Sequence, residues 1–470
     1  MQMSTDTEYA IRNIVIVGGG SAGWITAGLI ASEYAGSSEQ AVSVTLIESP
    51  DVKTIGVGEG TWPTMRTTLQ KSGISETDVL RQWSASFKQG PTFVGWVTGE
   101  PEDEYSQPVS APAGYTSINL VPYWQEQRDQ VSFVDAVSVQ GRLCDSHLAP
   151  KQVTTPEFAA VANYAYHLDA GKFADLLQKH CTTQLGVRHV LDHVTSINGN
   201  PDEDIRSVTT REHGDIEGDL FIDCTGFAAF LLGEHYQVSY LDKKHILFND
   251  SALAAQVPYA SDNSPIASQT ISTAQSAGWI WDIGLTTRRG IGYTYSSAHT
   301  NDADAEQALV DFIERTPGLS GDECVPRKIS FTPGHREKFW HRNCVAVGMS
   351  AGFLEPLEAS ALVLVELAGR MISEELPANR DVMDIVAKRY NDRFLYRWDR
   401  IIDFLKLHYV LSERDDSEYW SDNRRSGSIP ESLRELLDLW KYHVPERHDL
   451  VRVDEVFSVA SYQYVLYGMG

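Results

Sequence analysis

Apolar positions along the chain switch between two periods, and the switches mark the elements. Ile14-Val15-Ile16-Val17 is an unbroken β-branched run, the pattern of a strand buried on both faces, and Val42 to Ile47 forms a second. Between them the apolar stretch Trp24 to Ile30 reads as a helix. Spacing at three and four sets Phe173, Leu176 and Leu177 on one face and predicts a helix over His167 to Cys181. Shorter helices are expected at Met65–Leu69 and Thr77–Ala85. Strands are expected over Thr92–Val97, Gly186–Ile197 and Ser207–Thr210. Two further buried strands, after Gly218 and over Asn343–Val347, each run into a turn of small residues. Alternating apolar and polar residues over Ser251–Val257 and Gln275–Tyr295 predict antiparallel strands, the second with Trp279 and Trp281 on one face. Two such rings on a face belong to sheet packing more often than to a cofactor wall.

The later helices are expected over Ala303–Arg315, Ala361–Ile372, Val386–Leu411 and Glu431–His443, with a polar hinge at Ser412–Pro430. Two stretches break the pattern. Ser49–Thr64 holds three glycines and two prolines in sixteen residues, so it reads as an irregular strap, either crossing a bound group or lying on the surface. Residues 99–114 are acidic and proline-rich and read as an exposed loop or flap. The whole is a mixed α/β pattern.

The turn after the first strand changes the picture. Gly18-Gly19-Gly20-Ser21-Ala22-Gly23 carries G-x-G-x-x-G in the register Gly18, Gly20, Gly23, between a strand and a helix. Chemistry asks for a glycine at each place: one for the tight turn, one for backbone approach to a pyrophosphate, one for helix–strand packing. Free N–H groups at the helix start then face the phosphate. Glu48 closes the second strand thirty residues past Gly18, where a ribose hydroxyl needs an acceptor. With the strand–turn steps near 218–227 and 343–362, this implies one FAD-binding domain of discontinuous segments, of the flavin monooxygenase type. No second G-x-G-x-x-G with a downstream acid appears, so an NAD(P)H site is not expected and the flavin would arrive already reduced.

Composition narrows the class. A net charge of −25 over 470 residues excludes binding nucleic acid or an anionic membrane through a basic surface. No run of 18 apolar residues is present, and the polar start of the chain is no signal peptide, so a soluble protein is expected. Five scattered cysteines without C-x-x-C suit a reducing cytoplasm. His189 and His193 lie four apart, a spacing that suits a metal on a helix but not on the strand expected there, so no metal is expected.

Five motifs together carry a resemblance: G-G-G-S-A-G with Trp24 (18–24), V-G-E-G-T-W-P (57–63), F-K-Q-G-P-T-F-V-G-W (87–96), G-W-I-W-D-I-G (278–284) and F-L-E-P-L-E-A-S-A (353–361). With these, nearly the whole chain resembles the flavin-dependent tryptophan halogenases. The resemblance implies an enzyme in which reduced FAD, O2 and chloride or bromide yield hypohalous acid, which travels through an internal tunnel to an electron-rich arene. It implies Lys88 as the group that activates the hypohalite and Glu358 as the carboxylate that assists the electrophilic step. Both residue types suit the work, an ammonium to hold a diffusible oxidant and a carboxylate to orient it or take the arene proton. Ser360 and Ala361 are implied to present backbone N–H groups to the halide, and Trp279, Trp281 and Pro356 to wall the tunnel. The cofactor set is expected to be Gly18, Gly20, Ser21, Ala22, Gly23, Glu48, Val190, Gly348, Met349 and Leu362.

The chain departs from the family's W-x-W-x-I-P by Gly284 in place of proline, and from the Ser-Thr-Gly of tryptophan-specific members by Ala359-Ser360-Ala361. The groups that grip the amino and carboxylate ends of tryptophan have no clear match. Indole or a similar arene is therefore expected ahead of free tryptophan, with a separate flavin reductase as partner and a homodimer allowed. The alternative is a flavin-dependent aromatic monooxygenase. In domains, the expectation is 1–375 for a discontinuous FAD-binding domain, with a substrate-side sheet inserted at about 90–165 and 240–335, and 376–470 for a helical substrate-side region.

Overall fold

The β-branched run at Ile14–Val17 becomes the strand Asn13–Val17, and four of its five residues are buried. In this computed structural model, which describes residues 10–34, 42–52, 58–100, 102–319, 325–452 and 455–470, that strand lies inside a six-stranded sheet. The sheet order is Trp340–His341, Cys344–Ala346, Leu220–Asp223, Asn13–Val17, Ser43–Glu48, Arg188–Leu191. All pairings are parallel except the one that adds Trp340–His341 at the edge. The chain leaves Asn13–Val17 to one side and returns on the other, so a crevice opens at its carboxyl end, the place where doubly wound sheets bind ligands.

The helix Ser21–Glu33 is buried along most of its length, which fits its apolar sequence. It packs against Ala170–Thr183 and Ser360–Glu374. A second sheet of seven strands runs Arg327–Ser330, Ser251–Pro258, Arg288–Tyr295, Gly278–Gly284, Thr270–Gln275, Pro91–Val94, Glu104–Ser106. The third sheet that matters is small. Ala165–Asp169 lies between Gly58–Gly60 and Ser86–Lys88, antiparallel to both. Beyond it the chain is helical, dominated by the 31-residue helix Arg380–Val410. No helix among the described residues is long and apolar enough to cross a membrane.

Two local expectations are corrected. His167–Cys181 is not one helix. Ala165–Asp169 is the central strand just described, and the helix starts at Ala170, where the Asp169 carboxylate accepts from the N–H groups of Gly171 and Lys172. Residues 102–114 are not simply an exposed flap, because Glu104–Ser106 adds an edge strand to Pro91–Val94 and buries Tyr105. The tail forms a helix, Val459–Gly468. Residues 53–57 of the strap lie outside the described residues, as do residues 1–9, where no signal peptide is expected, and Cys324. The other four cysteines are free thiols.

Candidate active site

At the carboxyl end of Asn13–Val17 the three glycines do three different jobs. Gly18 has φ +117°, and a Cβ there would fall 2.2 Å from the Cys224 carbonyl oxygen. At Gly23 a Cβ would fall 2.0 Å from the Gly18 carbonyl oxygen, so helix and turn touch backbone to backbone. Gly20, directly before the helix, has nothing within 4 Å of where a Cβ would stand. That open space over an uncapped helix N-terminus is a cradle for an anion.

Glu48 faces the same space. Its carboxylate lies against Gly19, and its Oε2 is 2.9 Å from His189 Nε2. His193 turns instead to Asp51 at 3.1 Å, and no metal-holding group of three or more His, Cys, Asp or Glu occurs among the described residues. Gly18, Gly20, Ser21, Ala22, Glu48, Gly348, Met349 and Leu362 all line one cavity of about 640 Å³, within the ~300–1,000 Å³ of cofactor-sized sites. Gly23 and Val190 do not line it: the first is a packing contact, and the second is buried in its strand while Asp192, His193 and Val194 just beyond reach the cavity. Phe227 and Phe353 also line it, edge to face at 5.6 Å, a pairing that nothing in the sequence announces.

The cavity continues past Trp279, Trp281 and Pro356 to Ser360, Ala361, Lys88 and Glu358. A second cavity, of about 210 Å³, shares Lys88, Pro91 and Glu358 with the first. The two charged side chains are thus the wall between two chambers, although 270 positions separate them in the chain.

Short-range geometry builds that wall. Lys88, 3% exposed, ends the strand Ser86–Lys88 and donates from Nζ to the Thr61 carbonyl at 3.3 Å. Gly60 lies between it and the Glu358 turn, since a Cβ on Gly60 would sit 3.1 Å from Lys88 Nζ and 3.3 Å from Ala359 Cβ. Glu358 and Ala359 both hold left-handed backbone, φ 63° and 53°, a conformation that costs ~1–3 kcal/mol for each non-glycine residue. Trp62 Nε1 steadies the turn by donating to the Glu358 carbonyl at 3.0 Å. Glu358 therefore stands before the helix Ser360–Glu374 rather than capping it, and Ser360 and Ala361 open that helix with their N–H groups unclaimed by side-chain caps.

Burial disfavours charge on both partners. It pushes the Lys88 ammonium below the ordinary lysine range and the Glu358 carboxyl above the ordinary carboxylate range, and each charge partly restores the other. The pair titrates as a unit. Behind Glu358, His408 Nε2 lies 3.5 Å from Oε1, and His408 Nδ1 lies 2.7 Å from the Tyr105 hydroxyl. Burial holds that imidazole neutral, with its pKa pushed down to about 3. Neither His408 nor Tyr105 stood out in sequence, because one sits in a long helix and the other in a stretch that reads as loop.

Residues 13–470 match the family model described as tryptophan halogenase. A solved tryptophan halogenase from Shewanella frigidimarina superposes with a TM-score of 0.95 at 52% identity, over 98% of this chain and 89% of that one. BrvH, a flavin-dependent halogenase from Brevundimonas sp. BAL3, superposes with a TM-score of 0.86 at 32% identity, over 98% and 90%. The tryptophan 6-halogenase SttH of Streptomyces toxytricini is 31% identical, over 97% of this chain and 89% of its own length. The chain belongs to the tryptophan halogenase family and is a flavin-dependent halogenase.

Proposed function

We propose that the two chambers divide the reaction, with halide oxidised in the larger one and an arene halogenated in the smaller. The observation that carries this reading is the shared wall: Lys88 and Glu358 border both cavities. When bound, reduced FAD supplies with O2 the two-electron oxidation that turns chloride or bromide into hypohalous acid. The Gly18–Gly20 cradle and Glu48 suit its pyrophosphate and ribose, and the N–H groups of Ser360 and Ala361 suit the halide. Lys88 Nζ then holds the hypohalous acid through its oxygen, Glu358 takes the proton lost from the arene, and the products are the aryl halide and water.

The smaller chamber is faced by Trp62, Pro108, Val109, Val456 and Tyr464, a lining suited to a compact arene such as indole. Electrons would come from a separate flavin reductase in the cytoplasm. The proposed division of the chain is a discontinuous FAD-binding domain over 1–375 and a helical substrate-side region over 376–470. The test is incubation with FAD, a flavin reductase, NADH, bromide and indole, followed by product mass. Bromoindole formed only with the reductase present is expected. A gain of oxygen without bromide dependence would instead make the enzyme a monooxygenase, and vigorous NADH oxidation by the isolated chain would remove the need for a partner.

A further inference from the structure

Glu355, three residues before Glu358, is the centre of a buried polar cluster that the reaction as described does not use. It is 1% exposed, and a single oxygen, Oε2, accepts from three donors: Trp279 Nε1 at 2.7 Å, Tyr409 OH at 2.6 Å and Asn249 Nδ2 at 2.6 Å. Tyr419 OH extends the cluster by donating to Asn249 Oδ1 at 3.0 Å. Glu355 Oε1 has no hydrogen-bond partner among the described residues. A buried carboxyl is costly, and apolar residues of similar volume commonly serve stability as well or better. What this carboxyl obtains is the orientation of one ring, because Trp279 is a wall of the larger cavity while Glu355 itself is not.

The neighbouring tryptophan is held differently. Trp281 lies over Gly292, where a Cβ would fall 2.1 Å from its Cζ2, so its ring is placed by packing against bare backbone. Trp279 lies at 6.3 Å and 64° from Trp281, and its indole N–H has one acceptor, Glu355. The same acid is joined through Pro356 and Leu357 to the strained turn that presents Glu358, and Pro356 lines the cavity too. One carboxyl therefore ties a tunnel wall to the turn that bears the reacting pair.

We infer that Glu355 is a positioning residue that fixes the Trp279 ring, and with it the bore of the larger cavity between the Gly18–Glu48 end and Lys88, so that hypohalous acid reaches Lys88 and is not lost. The inference rests on the halogenase reading. Glu355→Gln keeps an acceptor oxygen toward Trp279 Nε1, whereas Glu355→Leu removes it and Trp279→Phe removes the donor. With FAD, reductase, NADH, bromide and indole, Glu355→Leu is expected to bind FAD and reoxidise reduced flavin as the parent does, and Trp279→Phe is compared with it on product formed per flavin reoxidised. Bromoindole per flavin reoxidised should fall about tenfold, the upper scale of a lost intramolecular hydrogen bond. The missing oxidant should appear in solution as hydrogen peroxide or as hypobromite caught by an added scavenger.

Glu355→Gln should recover most of the yield, and the Glu355→Leu and Trp279→Phe losses should not multiply, since both break one contact. A parent-like yield from either single variant, or multiplying losses, overturns the inference. Should Glu355→Leu fail to fold, Glu355→Ala beside Trp279→Phe gives the same comparison. A second readout needs no halogenation: hydrogen exchange of the Trp279 indole N–H by NMR, assigned by its absence in Trp279→Phe. Exchange of that one indole should accelerate in Glu355→Leu, or in Glu355→Ala if the leucine variant does not fold, and unchanged exchange overturns the inference. A parent that makes no bromoindole breaks the halogenase reading while this exchange experiment still decides the role of Glu355.

Discussion

The two ends of the larger cavity are made of different material. At the Gly18–Glu48 end the site is backbone: a tight turn, a helix N-terminus and, at Gly20, open space where a Cβ would stand. At the other end it is side chain: an ammonium and a carboxyl, both buried, brought together from a strand and a strained turn with Gly60 of a second strand packed between them. A backbone cradle tolerates changes in side-chain identity as long as nothing grows into it. A charged wall depends on particular atoms and on the cost of keeping them dry. The first end should therefore fail by obstruction, the second by deletion.

Deletion at the wall has the largest expected effect. Lys88→Ala should reduce halogenated product by ~10²–10⁴-fold, the loss for a positioned acid–base group, while FAD affinity and flavin reoxidation stay near parental. Product mass and flavin absorbance measured in the same reaction check this, and a variant keeping more than about a tenth of the parent rate, a loss below that range, would refute the role. Obstruction at the cradle comes next. Gly20→Val should fold with parental melting, because its side chain enters open space, yet bind FAD about 100-fold more weakly, ~2.7 kcal/mol. Titration followed by flavin fluorescence reads the affinity. Unchanged binding would place the pyrophosphate elsewhere.

Within the wall, Glu358→Gln keeps shape and removes charge, so its loss should be smaller than that of Lys88→Ala, about tenfold, the low end for assistance by a proton acceptor or below it. A loss equal to that of Lys88→Ala would make the carboxylate as essential as the ammonium. The smallest effect concerns the helix that presents Ser360 and Ala361. Glu366 on that helix accepts from Thr64 and Thr68, and burial raises its carboxyl from the ordinary 4.5 to about 7. The folded state thus holds this proton more tightly than the unfolded chain does. Its contribution to stability is complete below pH 4.5 and is lost as pH rises through 7, by about 2 kcal/mol between pH 5 and pH 7. Relative to Glu366→Gln, the parent should lose a few degrees of melting temperature over that interval. Parallel melting curves would mean the carboxyl is ionised throughout.

Legibility followed the same divide. The cradle was readable because strand, glycine turn, helix and terminal acid are contiguous or nearly so, and each glycine answers a local steric demand. Lys88 and Glu358 were named by resemblance alone, since a lysine at a strand end and a glutamate before a helix carry no local sign of burial or of each other. The last three residues of the strand Ala165–Asp169 read as helix in sequence because its neighbours in the small sheet come from residues 58–60 and 86–88, and strand pairing at that distance overrides a short helical spacing. Tyr105 and His408 were missed for the same reason: each becomes informative only beside the other.

By itself, then, the sequence determined the glycine turn with its helix N-terminus, the mixed α/β class and the helical character of residues 376–470, all consequences of local periodicity and backbone sterics. Only the tertiary structure decided that Lys88 and Glu358 form one wall with a chamber on each side, that Gly60 is the spacer which lets them approach, and that Glu355 grips Trp279. Those are long-range facts. They depend on which buried groups remain without water and must find partners in distant segments, and local periodicity does not encode that choice.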